Sequence, residues 1–171
     1  MSPLRIALVE DHALVRAGLR TLLEQTPELT VVAECDNGRE AVDVVVRANP
    51  DLVLLDVTLP GINGLEVAER LARQAPHTKI IMVSMHADPL LARRAFRAGA
   101  TGYVVKGVEF GELEQAIVAV SAGRPFVSSG LAGSLQADPD LSAPPHSAGP
   151  PARETGAGVR AEPGPFRRLR R

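Results

Sequence analysis

The chain has 171 residues, of which 45% are hydrophobic and only 3% aromatic, and its formal net charge is −1. This length accommodates one domain of ordinary size plus an appendage, with a core built from aliphatic side chains. No apolar run approaches the roughly 18 residues that span a membrane, and a net charge near zero gives no general sign of nucleic-acid binding.

The N-terminus and the single cysteine indicate the cellular compartment. In the N-terminal segment MSPLRIALVEDH, acidic residues come too early for a signal peptide. Cys35 excludes an internal disulfide, and its place at the end of a valine-rich run favours a buried structural thiol over a reactive one. We therefore expect a cytoplasmic protein without membrane association.

Apolar strands and amphipathic helices alternate up to about residue 127. The predicted strands are, in chain order, LRIALV, TVVAEC, DLVLLD, KIIMVS and GYVVK. Each is followed by a helix whose apolar residues recur at helical spacing. The second helix runs from about Gly38 to Ala48, where Asn49-Pro50 stops it. The fourth lies near Pro89–Ala98 and ends at Gly99.

This alternation predicts an α/β fold. Strands that alternate with helices form a parallel sheet with helices on both faces. The third strand is apolar on both faces, as a central parallel strand should be. Right-handed crossovers leave few topologies, and we expect the flavodoxin-like, doubly wound (βα)5 arrangement with strand order 2-1-3-4-5.

Polar side chains follow four of the five predicted strands. Glu10 and Asp11 end the first strand, Asp56 the third, Ser84 the fourth and Lys106 the fifth. The carboxyl ends of parallel strands lie along one edge of an open sheet, where ligands bind. Three carboxylates, a hydroxyl and an ammonium should therefore meet in one cleft. Such a cleft can hold a divalent cation and accept a phosphoryl group.

Four segments at these strand ends carry a family resemblance: IALVEDH, DLVLLDVTLPGINGLE, IIMVSMH and ATGYVVKG. In this order and spacing, the chain resembles a response-regulator receiver domain of the NarL/FixJ branch of bacterial two-component systems. The resemblance covers about residues 3–127. It departs from the family pattern at Gly107, which follows Lys106 where many relatives have proline.

The resemblance implies a phosphoacceptor rather than a turnover enzyme. Asp56 would take a phosphoryl group from a phosphohistidine of a sensor histidine kinase and later lose it by autodephosphorylation. Glu10, Asp11, Asp56 and the carbonyl of Thr58 would hold Mg²⁺, and Lys106 would pair with a phosphoryl oxygen. The alternatives are purely structural roles, in which the acidic pair only caps a helix and Asp56 is an ordinary loop residue.

Ser84 and Tyr103 match the switch residues of the family. Ser84 would turn toward the phosphate, and Tyr103 would move inward and change a helical face through which the protein forms homodimers. The alternatives are a plain strand-end hydroxyl and a half-buried strand aromatic. Lys106 is one of only two lysines in a chain with many arginines, which favours a specific role. His86 matches a position that tunes phosphate lifetime.

The chain changes character after about Ser128. Seven of its 14 prolines lie between Asp138 and Arg171, among many small residues. We therefore expect residues 1–127 to form the receiver domain and residues 128–171 a disordered tail. No helical periodicity follows Ala122, so we expect no folded output domain and no sequence-specific DNA binding. The terminal FRRLRR could contact phosphates non-specifically or simply be solvated.

Two alternatives remain beside the signalling receiver. The first is a truncated or frameshifted transcriptional regulator whose helix-turn-helix domain was replaced by the proline- and arginine-rich tail. The second is an aspartate-nucleophile phosphatase of the haloacid-dehalogenase type. That reaction normally needs a second aspartate two residues after the nucleophile. Thr58 occupies this position, which disfavours the phosphatase.

Overall fold

The structure is a computed structural model that describes residues 2–107 and 109–135. Within them, six strands and six helices follow one another: β1 Leu4–Val9, α1 Ala13–Glu24, β2 Leu29–Cys35, α2 Gly38–Ala48, β3 Leu52–Asp56, α3 Gly64–Gln74, β4 Lys79–Ser84, α4 Pro89–Arg97, β5 Gly102–Val105, α5 Phe110–Ser121, β6 Phe126–Val127 and α6 Ser129–Leu135. No helix of this part of the chain has the length and hydropathy that a bilayer crossing requires.

All six strands form one sheet in the order β2-β1-β3-β4-β5-β6. Every neighbouring pair is parallel. This confirms the predicted flavodoxin-like order 2-1-3-4-5. The two-residue strand β6, which the sequence did not reveal, extends the sheet beyond β5.

Two hydrophobic clusters fill the space on either side of the sheet. Successive side chains of a strand point to opposite faces, and β1 shows this directly. Ile6 and Leu8 belong to one cluster, and Ala7 and Val9 belong to the other. All five residues of β3 are buried, as its central position requires. The sheet is therefore packed on both faces, and its strand ends hold the side chains that follow them in defined positions.

The helix ends follow the local signals in the sequence. Asn37 and Asn63 each accept a hydrogen bond from the backbone three residues later, at the starts of α2 and α3. Asp88 caps α4 through the N–H of Leu90. Helix α2 ends at Asn49, which adopts a left-handed φ of 49°. Asparagine tolerates this conformation better than most residues.

The predicted domain boundary after Val127 is too early. Helix α6 follows β6 directly, and its Leu131 and Leu135 are buried in the same cluster as α2, α3 and α4. Seven residues with two glycines have little helical propensity, so tertiary packing stabilises this helix. The rest of the predicted tail, residues 136–171, lies outside the described residues.

Candidate functional site

The ends of β1, β3 and β5 bring an ammonium between two carboxylates. The Nζ atom of Lys106 lies 2.7 Å from Glu10 Oε2 and 2.8 Å from Asp56 Oδ2. The side chains of Glu10 and Asp56 are only 3% and 4% exposed. Lys106 directly follows β5, and its side chain extends past the end of β4 to the ends of both β3 and β1. The structure places three of the predicted site residues in direct contact.

Burial and this ammonium set the protonation of the group. Burial raises the pKa of Asp56, although hydrogen bonds from Lys106 and Thr58 oppose the change. Burial alone would also raise the pKa of Glu10, but hydrogen bonds from Lys106 and His12 outweigh it and hold that pKa below its usual range. The pKa of Lys106 is raised, because the two carboxylates outweigh the opposite effect of burial. Lys106 is therefore a fixed positive charge.

The loop after β3 orients the Asp56 carboxylate. The backbone N–H of Thr58 donates to Asp56 Oδ1 at 2.9 Å, while Oδ2 faces Lys106. Both oxygens of this carboxylate thus have a fixed partner. The expected contact of the Thr58 carbonyl with a cation stays a prediction.

Gly64, the first residue of α3, lets this helix start against Asp56. An ideal Cβ at Gly64 would lie 2.0 Å from the Asp56 carbonyl oxygen, and the Gly64 N–H donates to Val57 at 2.8 Å. Only glycine fits this close approach. From the sequence, Gly64 was assigned no role. Its only signal was a glycine at the start of a helix.

Asp11 completes an acidic group that suits a divalent cation. Its Oδ1 atom is buried without a hydrogen-bond partner, although His12 Nδ1 lies 3.1 Å away. Potential ligand atoms of Glu10, Asp11, His12 and Asp56 all lie within 4.8 Å of one another. Three carboxylates face one ammonium, so a cation with a preference for oxygen ligands fits the charge and the donor set. Glu10, Asp11 and Asp56 are the residues that could hold Mg²⁺.

Ser84 is the last residue of β4, and Tyr103 lies on β5, the strand that leads to Lys106. Ser84 is buried, and its Oγ accepts a hydrogen bond from the His86 N–H at 3.1 Å. Tyr103 is completely buried, and its hydroxyl donates to the His86 carbonyl at 2.8 Å. Burial raises the pKa of this phenol. The alternative of a half-buried aromatic is therefore wrong, and the ring lies in the inward position toward which phosphorylation is expected to shift it.

His12, His86 and Cys35 make further contacts in this part of the structure, and the influence of His86 on phosphate lifetime stays a prediction. His12 precedes α1, and both its N–H and its Nδ1 lie 3.0 Å from Glu10 Oε1. His86 contributes its backbone rather than its exposed side chain to the contacts with Ser84 and Tyr103. Cys35 is buried, and burial raises the pKa of its thiol, which agrees with a structural role.

Comparison with known proteins shows which family this chain is similar to. A family model described as the response regulator receiver domain matches residues 6–118. The response regulator GacA of Pseudomonas viridiflava is 38% identical over 132 residues, which make up 77% of this chain and 62% of that protein. The response regulator UvrY of Escherichia coli K12 is 39% identical over 129 residues, or 75% of this chain and 59% of that protein. The chain thus spans about six tenths of the length of these relatives.

Solved structures give the same result. A two-component response regulator of the LuxR family from Aurantimonas sp. SI85-9A1 superposes with a TM-score of 0.74 at 41% identity, covering 77% of this chain and 94% of that one. The signal receiver domain of the putative response regulator NarL from Mycobacterium tuberculosis superposes with a TM-score of 0.69 at 29% identity, covering 72% of this chain and all of that one.

Proposed function

The chain belongs to the response regulator receiver domain family of two-component systems, and from this membership we propose that it accepts a phosphoryl group on Asp56. The observation that carries the proposal is the contact of Lys106 with the buried carboxylates of Glu10 and Asp56. A buried ammonium between two carboxylates is costly to assemble for stability alone. It is useful where a second anion must approach Asp56.

The chain's own residues would carry the transfer. An Asp56 carboxylate oxygen attacks the phosphorus, an acyl phosphate O–P bond forms, and the bond from phosphorus to the donor nitrogen breaks with its electron pair left on that nitrogen. Lys106 neutralises a phosphoryl oxygen, and the Thr58 N–H keeps the carboxylate oriented. Mg²⁺, held by Glu10, Asp11 and Asp56, would neutralise the charge that accumulates on the phosphoryl group.

The partner would be a sensor histidine kinase, whose phosphohistidine is the donor. The protein would act once per phosphoryl group and then lose it by hydrolysis, so it would be a signalling component rather than a turnover enzyme. Its output would be a change of a helical face through which two copies associate. The relatives are described as response regulators, and one of them, DegU of Brevibacillus brevis, as a transcriptional regulatory protein.

Labelling with a small phosphodonor tests the central assignment. With Mg²⁺ and acetyl phosphate, the wild-type protein should gain one phosphoryl group by intact mass. Asp56→Asn should gain none, because an amide is not a nucleophile of comparable strength. Asp43→Asn is the matched control, since Asp43 is an exposed aspartate on α2. Full labelling of Asp56→Asn would show that another residue accepts the group.

A further inference from the structure

Ser128 connects the C-terminal part of the described chain to the strand that carries Tyr103. Its N–H donates to the Tyr103 carbonyl at 3.0 Å. Its Oγ accepts the Val105 N–H at 2.9 Å. Ser128 is only 2% exposed. Neither hydrogen bond takes part in the proposed phosphoryl transfer. Together they hold the backbone on both sides of Val104, and Val105 is the residue directly before Lys106.

Helix α6 starts at this anchor and packs on α4. The Leu131 N–H donates to the Ser128 carbonyl at 2.9 Å. Leu131 and Leu135 are 2% and 4% exposed and belong to the same hydrophobic cluster as Tyr103 and the α4 alanines. The helix is thus held by two leucines on one side and by Ser128 at its start.

Tyr103 is fixed from both sides in this arrangement. Its ring is completely buried, and its hydroxyl donates to His86, in the segment that leads into α4. Its backbone lies between β4 and β6. Protein interiors are packed nearly without voids. Outward movement of the ring would leave a cavity in the hydrophobic cluster that also contains Leu131 and Leu135, unless α4 and α6 rearranged at the same time.

We propose that docking of α6 and burial of Tyr103 form one coupled equilibrium, in which the segment starting at Ser128 holds the tyrosine inward. If the proposed phosphorylation of Asp56 also favours the inward ring, then phosphorylation tightens the attachment of α6. By thermodynamic reciprocity, detachment of α6 weakens the equilibrium binding of a phosphate mimic such as beryllofluoride at Asp56 by the same factor. The coupling itself does not depend on phosphorylation, whereas its link to Asp56 rests on the proposed function.

The composition of the chain makes this proposal easy to test. Tyr103 is the only tyrosine, and tryptophan is absent. Tyrosine fluorescence of the full chain, and the ¹⁹F resonance of protein labelled with 3-fluorotyrosine, therefore report on this one ring. The variant Leu131→Ala/Leu135→Ala should detach α6, and Leu14→Ala, at a residue that is 87% exposed on α1, is the control.

We expect acrylamide to quench Tyr103 severalfold more efficiently in the double variant than in the wild type, and the ¹⁹F resonance to shift toward that of free fluorotyrosine. The control should match the wild type. Unchanged quenching in a double variant that keeps its far-ultraviolet circular dichroism would overturn the proposal.

Two further measurements keep the proposal testable if the double variant does not fold. Ser128→Ala retains both leucines but removes the Oγ acceptor of the Val105 N–H. We expect it to increase the acrylamide quenching of Tyr103 and to shift the ¹⁹F resonance in the same direction as the double variant, but by less. In the wild type, beryllofluoride with Mg²⁺ should shift the Tyr103 signal and increase amide protection in residues 129–135 together. A Tyr103 shift without any change in that protection contradicts the coupling. Absence of both responses counts against the proposed phosphoacceptor function, while the Ser128→Ala quenching result still decides the coupling.

Discussion

Lys106 faces more negative charge than it can neutralise. Its single ammonium contacts Glu10 and Asp56, and Asp11 lies beside them. Without a cation, the folded protein therefore holds three neighbouring carboxylates with excess negative charge, and the side chains of Glu10 and Asp56 are almost fully buried. Sites of this kind commonly favour function at a cost in stability.

The Asp56→Asn variant should be more stable than the wild type in EDTA at pH 7, by about 0.5–2 kcal/mol. Because burial raises the folded-state pKa of Asp56, the wild type loses stability as the pH rises through that pKa, and the neutral amide does not. The gain should disappear below about pH 4, where the carboxyl is protonated in the folded and unfolded states. Urea unfolding of both proteins at pH 7 and below about pH 4 measures this difference in stability. An Asp56→Asn variant that is less stable than the wild type at pH 7 would contradict the charge argument.

Mg²⁺ should raise the melting temperature of the wild type, because a ligand that binds only the folded state stabilises it by about 2.7 kcal/mol at one hundred times its dissociation constant. Asp11→Asn should lose most of this effect, since Asp11 Oδ1 is buried at the site without a hydrogen-bond partner and is thus free to bind the cation. Thermal unfolding with Mg²⁺ and with EDTA measures the difference. Asp43→Asn should respond like the wild type. An equal response of Asp11→Asn would show that Asp11 does not bind Mg²⁺.

Individual residues differ in how well the sequence predicted them. Glu10, Asp56 and Lys106 were placed correctly at one sheet edge, because strand ends follow from local apolar runs. The inward position of Tyr103 was not predicted for this state, since it depends on α4 and α6. Gly107, where the family resemblance would lead one to expect proline, has a φ of +88°. Proline, fixed near −65°, could not adopt this backbone conformation.

At the scale of secondary structure elements, the start of α3 controls the geometry of Asp56. Gly64→Ala should destabilise the protein by about 1–3 kcal/mol, because the added methyl overlaps the Asp56 carbonyl and the backbone must shift. It should also slow labelling by acetyl phosphate. Gly111→Ala in α5 is the matched control, since its Cβ would meet no atom within 4 Å. A Gly64→Ala protein with wild-type stability and labelling would show that the loop adapts freely.

Helix α6, like the two-residue strand β6, was not predicted from the sequence. Its two buried leucines stand four residues apart in SGLAGSL, too short a stretch for periodicity to be recognised among glycines and serines. Packing against α4 decides its structure, and that information is not local. The five predicted strands and helices, by contrast, were long enough for their hydrophobic patterns to be recognised.

Leu131→Ala alone should lower the free energy of unfolding by about 2–5 kcal/mol, as expected for a truncated, fully buried leucine. A chain ending after residue 127 should be destabilised at least as much. Urea unfolding of both proteins, with Leu14→Ala as an exposed control, measures these losses. If both unfold like the wild type, then α6 contributes nothing to the fold.

For the whole molecule, the proposed output is a change in association. Static light scattering should give a higher mass in Mg²⁺ with beryllofluoride than in Mg²⁺ alone, because the phosphate mimic shifts the population toward the state that pairs. Asp56→Asn should show no such increase. An unchanged mass for the wild type would exclude a phosphate-dependent homodimer at the concentration used. The predicted tail, its possible frameshift origin and the expected lack of sequence-specific DNA binding stay predictions.

The outermost strands also bear on behaviour at high concentration. An exposed strand edge is a template on which a second chain can continue the sheet. Within residues 109–135, β6 contributes only two residues at that edge, and the chain then turns through Ser128 into a helix. The opposite edge strand, β2, carries Glu34 in an ion pair with Arg20. Both edges of the sheet are therefore poor templates for the edge-to-edge addition of a second chain, which disfavours fibrous aggregation at high concentration.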